Sequence, residues 1–181
     1  MKIQRWYYMG WLLSVFLAVG CGQGPVETSA APDDSKTETS EPVLHLDHAQ
    51  PKLSAIKLYL ADKTVVAEVA KTITQIATGM MFRESMEENN GMLFVFGRPH
   101  QTSFYMKNTK VPLSGAYIDS EGKVLEIIEM EPLNLEGIPS KSDEIQFVLE
   151  MNQGWFENNG IKVGTRIVTE KGPLRKTFFG R

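Results

Sequence analysis

Six polar side chains in this chain have types and positions that suit ligand binding: Arg83, Lys107, Asn108, Thr109, Ser114 and Glu150. A guanidinium group can hold a carboxylate through two parallel hydrogen bonds, and lysine supplies a point charge. Asparagine, threonine and serine add neutral donors and acceptors. The triplet 107–109 follows the apolar run SFYM and precedes a loop that Pro112 stiffens. Because binding residues are commonly held at loop ends on rigid structure, we expect this loop and the Arg83 loop to converge on one face.

Most of these residues also have a structural interpretation, and the sequence leaves both interpretations open. Asn108 and Thr109 could close the loop backbone, as these residue types do in turns. Glu150 lies in an alternating apolar segment, EIQFVLEM, that is typical of a strand. If its carboxylate points inward it needs a cation, which Arg83 or Lys107 could supply.

Motifs for metal and cofactor binding are missing from the sequence. The single cysteine, Cys21, cannot form a disulfide within the chain or a cysteine-based metal site. His45 and His48 form an H-x-x-H pair without a visible third ligand, so we interpret them as solvated or packing histidines. The seven methionines after residue 20 show no Met-x-x-Met repeat, which favours core filling over copper binding. We therefore predict no metal and no cofactor, and we assign no catalytic residue.

Residues 1–20 are typical of a secretory signal peptide. Lys2 and Arg5 give a positive start, and an apolar run from Trp6 to Val19 follows. This run is shorter than the roughly 20 residues of a transmembrane helix. The segment LAVGC resembles a bacterial lipobox, which places Cys21 at a lipidation site. We predict cleavage before Cys21 and stable anchoring through acyl chains such as palmitate, at the periplasmic or outer-membrane face of the cell envelope.

The charge distribution separates a linker from a folded domain. Residues 22–51 are rich in Ser, Thr, Pro and Ala and carry one base against six acids. They show no apolar periodicity, so we predict that residues 21–51 comprise the lipidated cysteine and a disordered acidic tether. Residues 52–181, predicted to be a single domain and a monomer, hold 16 bases and 16 acids. A neutral body without a basic stripe argues against nucleic acid as a partner.

Alternating apolar residues and frequent turn signals predict a mainly β domain. One short helix is predicted at 73–78, where Thr72 and Gln75 form a capping-box pattern. A second is predicted at 154–159. About eight short strands with two short helices are typical of a compact β-sandwich or a squat, jelly-roll-like barrel.

Several motifs occur in series: GMMFRES, GMLFVF, SFYMKNTKVPL, AYID, EIIEMEP and LEMNQGWFENNGIKVG. Their order and spacing, over about residues 55–170, resemble domain-of-unknown-function family 192. The resemblance implies a compact β-rich fold of the sandwich or jelly-roll kind in secreted, lipid-anchored or archaeal proteins, and it implies no established activity. Tyr105 stands where the family usually has Trp, and the loop 131–141 lacks a Cys pair that many members carry. Ser114 stands where Asp is frequent, which weakens an acid–base interpretation because that Asp would be the best general base.

These observations support three hypotheses for function. The first is a lipid-anchored envelope protein whose β domain binds a small molecule, a glycan or a partner protein at the six residues named above. The second is a hydrolase or transferase acting on envelope polymers, with Asp119 or Glu150 as acid or base. The third is a purely structural interaction module. The residues favour binding over catalysis, and two converging carboxyl groups in a pocket would instead indicate an enzyme.

Overall fold

The computed structural model describes residues 44–180, and this part of the chain is mainly β. Its elements are β1 Ala55–Leu60, β2 Lys63–Ala70, α1 Ile73–Thr78, β3 Asn90–His100, β4 Ser103–Phe104, β5 Leu113–Ile118, β6 Val124–Met130, β7 Ile138–Pro139, β8 Ile145–Asn152, α2 Trp155–Asn158, β9 Ile167–Thr169, β10 Gly172–Pro173 and α3 Leu174–Phe179. None of the helices in this range is both long and apolar enough to cross a membrane. The predicted signal peptide, Cys21 and most of the predicted linker lie outside the described residues.

Eight strands form one mixed sheet in the order β10–β9–β1–β2–β3–β8–β5–β6, and β4 pairs with β7 in a separate small sheet. Neighbours are antiparallel except β2 and β3. A parallel pair needs a crossover connection, and α1 lies in the one that joins these two strands. The prediction of a mainly β, compact, sandwich-like fold is confirmed. The barrel alternative is wrong for residues 44–180, where the sheet does not close on itself.

The large sheet separates two hydrophobic cores. On one face, Leu93 of β3 and Leu149 of β8 pack with residues of α2. On the other face, Phe94 of β3 and Val148 of β8 pack with Met80 from the loop after α1. Because successive side chains of a strand point to opposite faces, the continuously buried segments of β3 and β8 supply both cores.

Helix α1 begins and ends where the sequence predicts. The hydroxyl of Thr72 accepts a hydrogen bond from the backbone N–H of Gln75, and the Gln75 side chain accepts one from the backbone N–H of Thr72. This capping box fixes the first turn. Gly79 ends the helix with φ 46°, and a Cβ atom at this position would lie 3.2 Å from the ring of Phe94. Glycine therefore allows the chain to turn tightly beside that ring.

The folded body begins earlier than the predicted start at Lys52. The buried side-chain amide of Gln50 donates to the carbonyl oxygen of Gly79 at 2.8 Å. The backbone N–H of Leu46 donates to the hydroxyl of Thr78 at 3.0 Å. Polar groups at the end of a helix lack partners within the helix, so this preceding segment satisfies part of that need. Because the segment before Lys52 is polar, the sequence pattern assigned it to the linker.

A third helix, α3, lies beyond the two helices that the sequence predicts. Leu174 is fully buried. The rings of Phe178 and Phe179 pack against Phe147, with centroid distances of 5.8 and 6.1 Å. The prediction of two helices is wrong because the basic residues of this segment conceal the apolar spacing of Leu174 and Phe178.

Candidate functional site

A cavity of about 220 Å³ lies on the sheet face that carries Phe94. Its lining comes from six parts of the chain: Ile76–Gly79 at the end of α1, Met80 with Met81, Phe94 with Phe96 on β3, residues 102–105, Thr109, and Glu150 on β8. Most of these side chains are apolar or aromatic, with a few hydroxyl groups between them. Ligand pockets usually have this composition, in which a small number of polar groups sit in an apolar lining.

Glu150 is the one carboxyl group that lines this cavity within the described part of the chain. Its exposed fraction is 4%, and its Oε2 atom is buried without a hydrogen-bond partner. In the sheet it lies opposite Met92 of β3 and Gly115 of β5, neither of which has a side chain that could donate to it. Burial disfavours the charged form and raises the pKa of Glu150 to about 8. The carboxyl group is therefore mainly protonated at neutral pH.

An unpartnered buried carboxyl group is unusual in a folded protein. Such a group costs about 1–3 kcal/mol of stability, and native structures contain few of them. Strongly perturbed acids in clefts are therefore candidates for functional roles. The position of Glu150 on a central strand holds the group rigidly, so the arrangement suits a fixed contact to a bound molecule.

The predicted pairing of Arg83 with Glu150 is wrong. The Nη1 and Nη2 atoms of Arg83 donate to the two carboxylate oxygens of Glu68 on β2, at 2.6 and 2.8 Å. The backbone N–H of Leu53 donates to the same carboxylate at 2.6 Å. Burial opposes ionisation of Glu68, but these hydrogen bonds outweigh it and hold its pKa below the ordinary value. No ion pair joins Lys107 to Glu150 within residues 44–180 either.

Arg83 and Glu150 border different cavities. Arg83 and Glu68 line a second cavity together with Lys52, Ser85 and other residues of the β2–β3 side. Glu150 is not part of that lining, and Arg83 is not part of the lining around Glu150. The six residues predicted to bind a ligand therefore do not form one shared site.

The loop that carries the triplet 107–109 contacts the loop after α1, as predicted. The contact is a backbone hydrogen bond and does not involve the triplet's side chains. The N–H of Phe82 donates to the carbonyl oxygen of Asn108 at 2.8 Å. Asn108 has φ 54°, a left-handed conformation that asparagine tolerates better than most residues. The hydroxyl of buried Thr109 donates to the carbonyl oxygen of Lys107 at 3.1 Å. Of the triplet, only Thr109 lines the Glu150 cavity.

Ser114 and Asp119 have structural partners. The Ser114 hydroxyl, buried on β5, donates to the carboxylate of Glu129 at 2.6 Å and accepts from the backbone N–H of Gly154 at 2.8 Å. The carboxylate of Asp119 accepts from the backbone N–H of Glu121 at 2.8 Å, which makes it a turn cap. Neither residue lines the Glu150 cavity.

The two histidines of the H-x-x-H pair have separate contacts. The Nδ1 atom of His45 lies 2.7 Å from the carbonyl oxygen of Leu46, and His48 contacts Asp47 at the surface. Between residues 44 and 180, no three histidine, cysteine, aspartate or glutamate side chains come close enough to hold a metal ion.

Glu68 and the aromatic lining of the cavity are not among the residues predicted from the sequence. An acid in the alternating run TVVAEVA is typical of a solvent-facing position, so the Arg83 partner gave no distinct signal. Phe94 and Phe96 did carry a signal, because residues two apart on a strand share one face. Phe104 and Tyr105 reach the same cavity only through tertiary packing.

The model of family DUF192, described as an uncharacterised ACR, matches residues 56–169. A crystal structure of a candidate transcription regulator from Sinorhizobium meliloti is 28% identical, with a TM-score of 0.63 over 67% of this chain and 98% of that chain. A protein of unknown function from Novosphingobium aromaticivorans is also 28% identical, with a TM-score of 0.60 over 64% and 85% of the two chains. No curated protein matches this sequence.

The family match includes every residue that lines the Glu150 cavity. It spans more than half of the sequence. The chain therefore belongs to the uncharacterised family DUF192.

Proposed function

We propose that this protein is exported and lipid-anchored and that its β domain binds a small molecule in the Glu150 cavity. The observation that carries the proposal is the buried carboxyl group of Glu150, whose Oε2 atom lacks a partner in a mostly apolar cavity. The signal-like residues 1–20 and the lipobox-like segment ending at Cys21 support the anchoring part. Binding at this cavity replaces the predicted site at Arg83 and Lys107.

Among the ligand classes considered, a small molecule fits the cavity better than a glycan or a partner protein. The volume of about 220 Å³ suits a compact molecule. A glycan of several sugar units would exceed this volume. A partner protein would need a broad surface, because specific interfaces bury about 800 Å² on each partner.

The geometry favours binding over catalysis. General acid–base hydrolysis uses two groups that converge on the reacting bond. Glu150 is the single carboxyl group among the described lining residues, and Asp119 is engaged in a turn elsewhere.

Binding is tested by recording the methionine methyl NMR signals of the lipid-free mature chain against a small-molecule library. Met80 and Met81 line the cavity, whereas Met151 belongs to the core on the opposite face. We expect ligands that shift the Met80 and Met81 signals and leave the Met151 signal unchanged, because the sheet separates the two faces.

Two variants on α1 locate the binding site. Ala77 lines the cavity, so Ala77→Phe should fill it and abolish binding. Ile73 is 71% exposed on the same helix and outside the lining, so Ile73→Phe should bind as the wild type does. Hits that bind Ala77→Phe with unchanged affinity, or a library without hits at Met80 and Met81, would contradict the proposal.

Anchoring is tested with Cys21→Ser, which removes the thiol that would carry the acyl chains. We expect either an uncleaved precursor or release of the protein from the membrane fraction, because stable anchoring needs two or more chains. Ser29→Ala, in the predicted linker, should leave processing unchanged. A processed Cys21→Ser protein that still sediments with membranes would exclude lipid anchoring.

A further inference from the structure

Several groups that line the Glu150 cavity are electron-rich, and no positively charged side chain of the described chain lines it. Four aromatic side chains contribute to the lining: Phe94, Phe96, Phe104 and Tyr105. The rings of Phe94 and Phe104 meet edge to face with their centroids 4.9 Å apart, so they fix one another. Aromatic ring faces carry negative electrostatic potential and attract cations.

Other parts of the lining have the same electrostatic preference. Met80 and Met81 contribute thioether groups, which are polarizable and weakly accepting. The hydroxyl proton of Thr109 is engaged by the carbonyl oxygen of Lys107, so its oxygen remains an acceptor.

We infer that the ligand is a compact organic cation, with an ammonium group placed between the carboxylate of Glu150 and the aromatic side chains of the cavity. This inference rests on the proposed function, because it concerns the same cavity. The cation would supply the partner that the Oε2 atom lacks within residues 44–180. A neutral carbonyl ligand could accept one hydrogen bond from a protonated Glu150, but it would lack the electrostatic attraction that the ring faces offer to a cation.

Binding of such a cation is coupled to release of a proton. Without a cation, Glu150 is protonated up to a pKa of about 8. An ammonium ion binds the carboxylate, so the carboxyl proton passes to solvent when the complex forms at neutral pH. Affinity for the cation should therefore rise by about tenfold per pH unit between pH 6 and 8 and level off above that range. A neutral acceptor would show constant affinity below pH 8 and weaker binding above it.

Other ionisable groups lie near this cavity, and their effects on the pH dependence of binding must be distinguished from the effect of Glu150. Tyr117 of β5 has its pKa raised to about 12, mainly by burial and also by the carboxylates of Glu126 and Glu150, so it keeps its proton at neutral pH. Tyr105 lies in the lining itself. His45 belongs to the segment that packs on α1, where the backbone N–H of its neighbour Leu46 donates to the hydroxyl of Thr78, a lining residue. A His45→Gln variant therefore serves as the control for pH dependence.

The test is calorimetric titration of the lipid-free mature chain with two matched pairs of probes. Choline is paired with 3,3-dimethylbutan-1-ol, and butylamine with butan-1-ol, so that each pair differs in charge and little in size. Titrations between pH 6 and 9 in two buffers of different ionisation enthalpy measure the protons released. We expect at least one cation to bind about tenfold more tightly than its neutral partner at pH 8, with release of about one proton at pH 6.

Glu150→Gln keeps the size of the side chain but cannot become charged. It should lose the preference for the cation and the pH dependence, whereas His45→Gln should retain both. Neutral probes that bind more tightly than the cations, persist in Glu150→Gln and are lost in Ala77→Phe would overturn the cation inference and support the proposed function. Absence of cation binding also overturns the inference, and the library experiment at Met80 and Met81 then decides separately whether the cavity binds small molecules.

Discussion

Replacing Glu150 with glutamine is expected to raise the free energy of unfolding by about 3 kcal/mol at pH 7. The pKa of Glu150 in the fold, about 8, lies well above its ordinary value of 4.5. At pH 7 the unfolded chain therefore carries a carboxylate that must take up a proton on folding. Each unit between the ordinary pKa of 4.5 and the working pH of 7 corresponds to about 1.4 kcal/mol. The glutamine variant avoids this cost, which accounts for the expected gain in its free energy of unfolding. Glutamine has a similar shape and needs no proton.

The pH dependence of stability distinguishes this cause from a change in packing. Proton uptake by Glu150 lowers the free energy of unfolding of the wild type. This loss is absent below about pH 4.5, grows between about pH 4.5 and 8, and becomes constant above about pH 8. Urea unfolding at several pH values should show this fall in the free energy of unfolding for the wild type and not for Glu150→Gln. Glu144→Gln, an exposed position just before β8, should follow the wild type. Parallel profiles for wild type and Glu150→Gln would show that Glu150 is ionised in the fold.

Arg83→Ala is expected to destabilise the domain by about 3–5 kcal/mol at neutral pH. The side chains of Arg83 and Glu68 are only 15% and 17% exposed. Removing the guanidinium group leaves the Glu68 carboxylate largely buried, with the backbone N–H of Leu53 as its remaining hydrogen-bond donor. Chemical denaturation of the two proteins measures the difference.

The exposed pair Lys110–Glu84 offers a matched control. Its side chains are 61% and 76% exposed, so Lys110→Ala should change stability by less than about 1 kcal/mol. The stabilisation by Glu68 is present above its ordinary pKa and disappears as the pH falls through its lowered pKa in the fold. The effect of Arg83→Ala should therefore shrink in acid. If Arg83→Ala and Lys110→Ala lower the free energy of unfolding equally, the Arg83–Glu68 pair contributes no more than a surface ion pair.

Local structure could be predicted from this sequence because its signals are local. The capping box of Thr72 and Gln75 depends on two residues three positions apart, and it forms as expected. Alternation in the segment 144–151 located β8 to within one residue at each end.

The candidate site depends on which strands become neighbours, and no local pattern encodes that. β8 lies between β3 and β5, which brings Glu150 opposite Met92 and Gly115. Arg83 instead reaches Glu68 because its loop returns alongside β2 before β3 begins. The inward direction of Glu150 could be expected from its strand, but the residues around it come from segments far away along the chain.

The central position of β8 has a consequence for how the protein folds. β8 is hydrogen-bonded to β3 on one side and to β5 on the other, so both strands have an open edge until it is inserted. Hairpins such as β1–β2 and β5–β6 close short loops and form early, whereas this insertion joins distant segments and is the expected slow step. A chain waiting at that stage can pair its open edges with another copy, which makes it the form most prone to aggregate. The same step carries Glu150 out of water, so mildly acidic conditions should speed the completion of the sheet.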